Sequence, residues 1–65
     1  MHATNEYLPN GTAVLNTDDG ETGTIMNGFA FDPACGWTEY EVATQYRIER
    51  WERSDMIPMS ELETA

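Results

Sequence analysis

Lysine is absent from this 65-residue chain, and its three basic residues, Arg47, Arg50 and Arg53, are crowded into one short stretch. Against them stand twelve carboxylates, for a formal net charge of −9. DNA, RNA and anionic membranes each need Lys or Arg to neutralise their own charge, so this shortage excludes direct binding to any of them. A charge imbalance of this size bears on solubility and choice of partner, not on fold. It points to a cationic partner, or to a solvent salty enough to screen the self-repulsion. Cysteine is almost as scarce. Cys35 stands alone, which excludes an intramolecular disulfide and fits a reducing compartment, so a cytoplasmic location is expected. The single histidine, His2, is far along the chain from Cys35, Ser54 and Ser60, so no neighbouring base activates a nucleophile. No apolar run approaches the roughly 18 residues of a membrane span, and the N-terminus lacks the basic and apolar regions of a signal peptide. A soluble protein is expected.

Sixty-five residues fit one domain. A chain this short buries only about 60% of its unfolded surface, so its core is minimal. With disulfides excluded, large rings must supply much of that core: Tyr7, Phe29, Phe31, Trp37, Tyr40, Tyr46 and Trp51. Each can bury roughly 150–250 Å². The hydrophobic share of 40% is enough for a folded domain rather than a disordered chain.

Residues 1–10 are polar and end in the turn signal Leu8-Pro9-Asn10-Gly11, so they read as a flexible arm leading into a single β domain over residues 11–65. Residues 12–16 are a short strand candidate. Asp19-Gly20 between apolar stretches is a strong hairpin signal, and residues 22–31 follow as a second strand. Gly23 and Gly28 within it predict a bulge or sharp bend. After a break at residues 32–36, Tyr40, Val42, Thr44, Tyr46 and Ile48 alternate with polar or small residues at period two, which favours strands. Thr38 and Glu41 form a capping-box pattern, and Glu49 and Arg53 are spaced i,i+4, so a helix over residues 39–53 is the competing reading. The strand reading has a weakness: no Gly, Asn or Pro marks a turn near Gln45. Pro58 is expected to interrupt regular structure over residues 54–58. Ser60 and Glu63 form a second capping box, at a helical turn too short to stand alone. The fold class is thus mainly β: a small, strongly bent antiparallel sheet or barrel of four or five short strands with a short C-terminal helical turn.

The segments Gly11 to Val14, Asp19 to Ile25, Tyr40-Glu41-Val42, Ile48 to Trp51 and Ser60 to Leu62 together resemble the small barrels of the Src-homology-3 type. The likeness covers roughly residues 11–63 and rests on pattern. It implies a barrel-like fold and leaves function open, because such barrels host many activities. Plasmid-type dihydrofolate reductases are similar small barrels that build one active site from four copies. Their Val-Gln-Ile-Tyr motif has no counterpart here, where the nearest stretch reads Arg47-Ile48-Glu49-Arg50.

Catalysis finds little support. Asp18, Asp19 and Glu21 crowd one turn but lack the alternation and closing Glu of a calcium loop, so they read as a solvated hairpin tip and no metal is expected. Gly20 to Gly23 has no lysine and is not a phosphate cradle. On a strand, Glu39 and Glu41 share a face about 6.6 Å apart, but acid–base pairs of that kind work in a deep cleft that so short a chain cannot enclose. Neither an enzyme nor a cofactor is expected. Arg47, Arg50 and Arg53, interleaved with Glu49 and Glu52, read as a salt-bridged strip or as flanks for Trp51 acting as an interface anchor.

The remaining acids suggest a role. A compact domain of this length has a radius of gyration of about 11 Å and a diameter near ~28 Å, over which duplex DNA carries on the order of 16 charges. The net charge is about half of that, enough to copy one strand. Small size, acidity and lack of catalytic groups are similar in type to the acidic anti-defence proteins of phages and mobile elements, anti-CRISPR DNA mimics among them. The expected function is a non-enzymatic inhibitor that blocks the basic DNA- or RNA-binding site of a cationic partner. Glu39, Glu41, Asp18, Asp19 and Glu21 are the expected phosphate stand-ins, with Asp32 and Asp55 behind them and Trp51 as an aromatic contact. Two alternatives fit the same composition: an adaptor or structural protein using Trp37 and Trp51, and a salt-adapted barrel domain.

Overall fold

The computed structural model describes residues 7–63, Glu63 by its backbone alone. Five strands run through them: β1 (Ala13–Asn16), β2 (Thr22–Asp32), β3 (Gly36–Ala43), β4 (Ile48–Glu52) and β5 (Met56–Pro58). A 3-10 turn at Arg53–Asp55 links β4 to β5, and a short helix, α1 (Met59–Glu63), follows β5. The strands form one open sheet in the order β4-β3-β2-β1-β5, with every pairing antiparallel. The fold is mainly β, a five-stranded antiparallel sheet with a short C-terminal helix.

Local side-chain chemistry sets each turn. Between β1 and β2, the Asn16 N–H donates to the Glu21 carbonyl at 2.7 Å and the Gly20 N–H donates to the Asn16 carbonyl at 2.8 Å. The Asn16 side chain is buried, and its Oδ1 accepts the N–H groups of Asp18 (2.8 Å) and Asp19 (3.4 Å). Gly20 takes the positive φ of 79° that a side chain would resist. Between β2 and β3, Asp32 Oδ1 accepts the Ala34 N–H at 2.8 Å. The β3–β4 turn has no Gly, Asn or Pro because Thr44 replaces them. Its hydroxyl accepts the N–H groups of Tyr46 and Arg47, both at 3.1 Å, and donates to the Arg47 carbonyl at 2.9 Å. With this turn in place, Tyr40, Val42 and Trp51 bury along one face. A helix over residues 39–53 would scatter them, and none forms.

Two further expectations are corrected. Residues 56–58 are a strand, not an interruption: Pro58 is the last residue of an edge strand, where a missing N–H is tolerated. Residues 1–6 of the expected arm over residues 1–10 lie outside the described residues, and in its described part Tyr7 and Leu8 pack on the domain instead. Leu8 joins the core, and the Tyr7 ring meets Trp37 edge-on at 5.1 Å.

The short β4–β5 link dictates the sheet's shape. In a flat sheet these strands would lie four spacings apart, about 19 Å. Four residues from Glu52 to Met56 span at most roughly 14 Å when extended, and a 3-10 turn rises only about 2 Å per residue. The sheet must therefore curl. β2 takes up the bend through register shifts against β3 at Ile25/Asn27, Gly28/Ala30 and Ala30/Phe31. Gly23 and Gly28 let the curl close tightly, because a Cβ would lie 2.5 Å from Val42 Cγ1 at the first and 2.5 Å from Trp37 Cζ3 at the second. The core fills the inside of the curl: Leu8, Val14, Ile25, Tyr40, Val42, Trp51 and Met56.

Tyr40 stands at the centre of that core, fully buried, and its hydroxyl accepts the Leu8 N–H at 2.9 Å. Burial pushes the Tyr40 phenol above its ordinary pKa, against the Leu8 hydrogen bond and the Arg53 charge, which pull it down. Stability is therefore fully present below the ordinary tyrosine value and falls as pH rises through the raised one. Tyr40→Phe leaves the Leu8 N–H without this acceptor and should lower unfolding free energy by about 1–3 kcal/mol. Leu8→Ala should cost about 2–5 kcal/mol. That is a large share of the roughly 3–10 kcal/mol expected for a domain of this size. Urea denaturation midpoints check both; an unchanged midpoint for Leu8→Ala would place the residue outside the cooperative unit.

Candidate functional site

Strand alternation places Tyr40 and Val42 inside and sends Glu39, Glu41 and Ala43 to the outer face of β3. The β3–β4 register sets Glu39 opposite Glu52, Glu41 opposite Arg50 and Ala43 opposite Ile48. Directly opposed side chains have Cβ atoms about 4.5–5.5 Å apart, and like charges so placed are destabilising. Glu39 and Glu52 are such a pair. With Thr38, Arg53 and Ser54 they line a shallow hollow of about 330 Å³. Glu41 is better supplied, since it faces Arg50 across the strands and its Oε1 accepts Asn27 Nδ2 at 3.5 Å. The Arg50 guanidinium carbon lies 4.5 Å from the centroid of the Phe29 ring. Phe29 occupies the extra position at the Gly28/Ala30 register shift, and 48% of it is exposed. Ile48, 59% exposed, continues the same face along β4.

A second group of acids gathers at the β1–β2 hairpin. Asp18 and Asp19 are exposed, and Glu21 is half-buried. The Asp19 carboxylate is used locally, accepting the Glu21 N–H at 2.9 Å. Asp55 joins this group because its carbonyl accepts both the N–H (2.8 Å) and the hydroxyl (3.3 Å) of Thr17. Asp32 lies apart, at the far end of β2. The seven acids singled out from sequence therefore divide among the outer face, the β1–β2 end and the β2–β3 end, and do not share one face.

Trp51 is corrected outright. It is 5% exposed and belongs to the core, so it cannot anchor a partner. Its Nε1 donates to Glu49 Oε1 at 2.9 Å, while Arg47 Nε donates to Glu49 Oε2 at 2.9 Å. Arg53 turns back to donate from Nη1 to the Met56 carbonyl at 2.9 Å. All three arginines are thus engaged within the domain, Arg47 with Glu49, Arg50 over Phe29 and Arg53 in the β4–β5 link.

Sequence reasoning missed Glu52, Arg50 and Phe29. The first two follow once the turn at residues 44–47 is placed, because that turn alone fixes which β4 residue faces each residue of β3. Phe29 depends on a register shift that periodicity does not reveal. Among the described residues, no three His, Cys, Asp or Glu side chains converge to hold a metal ion, and no helix is long and apolar enough to cross a membrane. Comparison with protein-family models, curated proteins and solved structures found no match.

The Trp51 and Arg47 hydrogen bonds hold the Glu49 carboxyl below the ordinary glutamate pKa. A lowered folded pKa means stability present above the ordinary value and lost as pH falls through the lowered one. In an acid titration followed by NMR, Glu49 should protonate below the ordinary glutamate value, and the Trp51 indole N–H resonance should shift with the same midpoint. Glu49→Gln should remove that indole step. An ordinary glutamate midpoint at Glu49 would contradict the bonded geometry.

Proposed function

We propose that this domain is a non-enzymatic acidic inhibitor that occupies a Lys/Arg-lined nucleic-acid site on a partner protein and so excludes the nucleic acid. The observation that carries this reading is the unneutralised state of the acids. Asp18, Asp19, Glu21, Asp32, Glu39, Glu41, Glu52 and Asp55 make no ion pair among the described residues. The domain's extents are 35 × 28 × 20 Å. One strand of duplex DNA over the longest of these carries on the order of 10 phosphates. Eight carboxylates distributed from one end of β2 to the other approach that number. Their division among three places suits a partner groove that follows a backbone, rather than a single cationic spot.

Binding of this kind is driven by release of counterions from both surfaces and by long-range steering, and both weaken with salt. The Glu39/Glu52 juxtaposition supports the same reading. It costs folding energy in the free domain, and a partner's cation placed over it would turn repulsion into attraction. The likeness to Src-homology-3 barrels is carried forward as part of the proposal. Supporting it are the strand order and the 3-10 turn ahead of a short last strand. An anti-defence role of the anti-CRISPR kind fits the size and charge.

The experiment is capture of nucleic-acid-binding proteins from host lysate on the immobilised domain, followed by elution with duplex DNA or salt. Duplex DNA should release the captured protein, and raising salt from roughly 50 to 200 mM should weaken capture at least about tenfold. Glu39→Lys with Glu41→Lys should abolish capture while leaving the denaturation midpoint near that of the parent, because both residues lie on the outer face. Full capture by the double variant, or release by neither DNA nor salt, would overturn the proposal.

A further inference from the structure

Resting on that reading, we infer that the outer face of β2, β3 and β4 is the docking surface, and that it selects arginine side chains of a basic protein partner over lysine. Three observations converge on this face. Phe29 and Ile48 expose 48% and 59% of their surface on it, an apolar area left open among the described residues. Around them stand Glu39, Glu41 and Glu52, which give the face an anionic rim. The third is Arg50, whose guanidinium is stacked over the Phe29 ring, 4.5 Å from its centroid, on the strand position facing Glu41.

Arg50 shows what the face accepts. A guanidinium is planar, stacks on an aromatic ring and can bridge carboxylates with forked hydrogen bonds; an ammonium is a hydrated point charge that does neither as well. The domain has placed its own guanidinium over a ring, on the strand position opposite an acid. Two residues along the strands, Glu39 and Glu52 offer two directly opposed carboxylates, neither of them ion-paired among the described residues. A partner arginine entering there would lie between two acids, with the rest of its segment resting on Phe29 and Ile48. Charge complementarity decides the occupant. A second copy of this chain would bring another −9 against the rim, whereas a basic segment brings the opposite sign. Arg50 acts as an internal competitor that a partner arginine joins or displaces.

The test is an NMR titration of the full chain with hexa-arginine and, separately, hexa-lysine at low salt. Hexa-arginine should bind roughly 2–5-fold more tightly, and its shift changes should concentrate at Phe29, Glu39, Ile48 and Glu52. Phe29→Leu keeps the apolar bulk without the ring and should remove the arginine preference. Arg50→Gln should tighten hexa-arginine binding more than Arg47→Gln, which changes net charge equally at a different place. Equal affinity for both peptides, unchanged selectivity in Phe29→Leu, or self-association of the chain through this face would overturn the inference. Shift changes confined to Asp18, Asp19 and Glu21 would also overturn it while leaving the inhibitor reading in place. Absence of any shift with either peptide would overturn both.

Discussion

The link between β4 and β5 is too short to cross a flat sheet, and most of the molecule follows from that. Because Glu52 and Met56 are four residues apart, the two outermost strands must approach each other, and the three strands between them must curve. Curvature makes an inside and an outside. The inside is small enough for seven side chains to fill, which is how a chain with no lysine, no disulfide and modest apolar content has a core at all. The outside is correspondingly splayed, so that strand neighbours on the convex side meet water at wide angles. Acids placed there are well hydrated, and the sheet tolerates a surplus of one sign because the repelling groups stay in high dielectric.

That tolerance is uneven. At the β1–β2 end the acids take part in turn formation, with Asp19 and the buried Asn16 satisfying backbone donors that would otherwise be left open. Asp32 does the same at the next hairpin. Their charge accompanies a structural task. Glu39 and Glu52 have no such bond among the described residues, and their register opposes them. The distinction separates acids that the fold uses from acids that it merely bears.

Much of this architecture was legible in the chain. Period-two alternation from Tyr40 to Ile48, the Asp19-Gly20 turn and the glycines of the second strand led to the strands, the first hairpin and the bend. The rest was hidden for identifiable reasons. Thr44 builds a turn with its hydroxyl, and no composition rule separates that threonine from one in a strand. Pro58 was read as a breaker because the edge position that excuses it depends on strand order. Leu8 was assigned to an arm because a turn signal follows it, yet one buried phenol reaching its N–H makes it part of the core. Trp51 was misjudged because flanking arginines suggested a surface, while the partner that settles its orientation is Tyr40, eleven residues earlier. For the acids, sequence gave number and sign but not grouping, since grouping follows from register.

The Leu8–Tyr40 contact also governs how the domain meets whatever precedes it. The polypeptide enters through the interior, pinned by a hydrophobic side chain and a hydrogen bond just before the first strand. A truncation that began at Pro9 would therefore remove a core side chain and the donor to the buried Tyr40 hydroxyl together with the leading segment, so the trimmed domain would lose more than a tail.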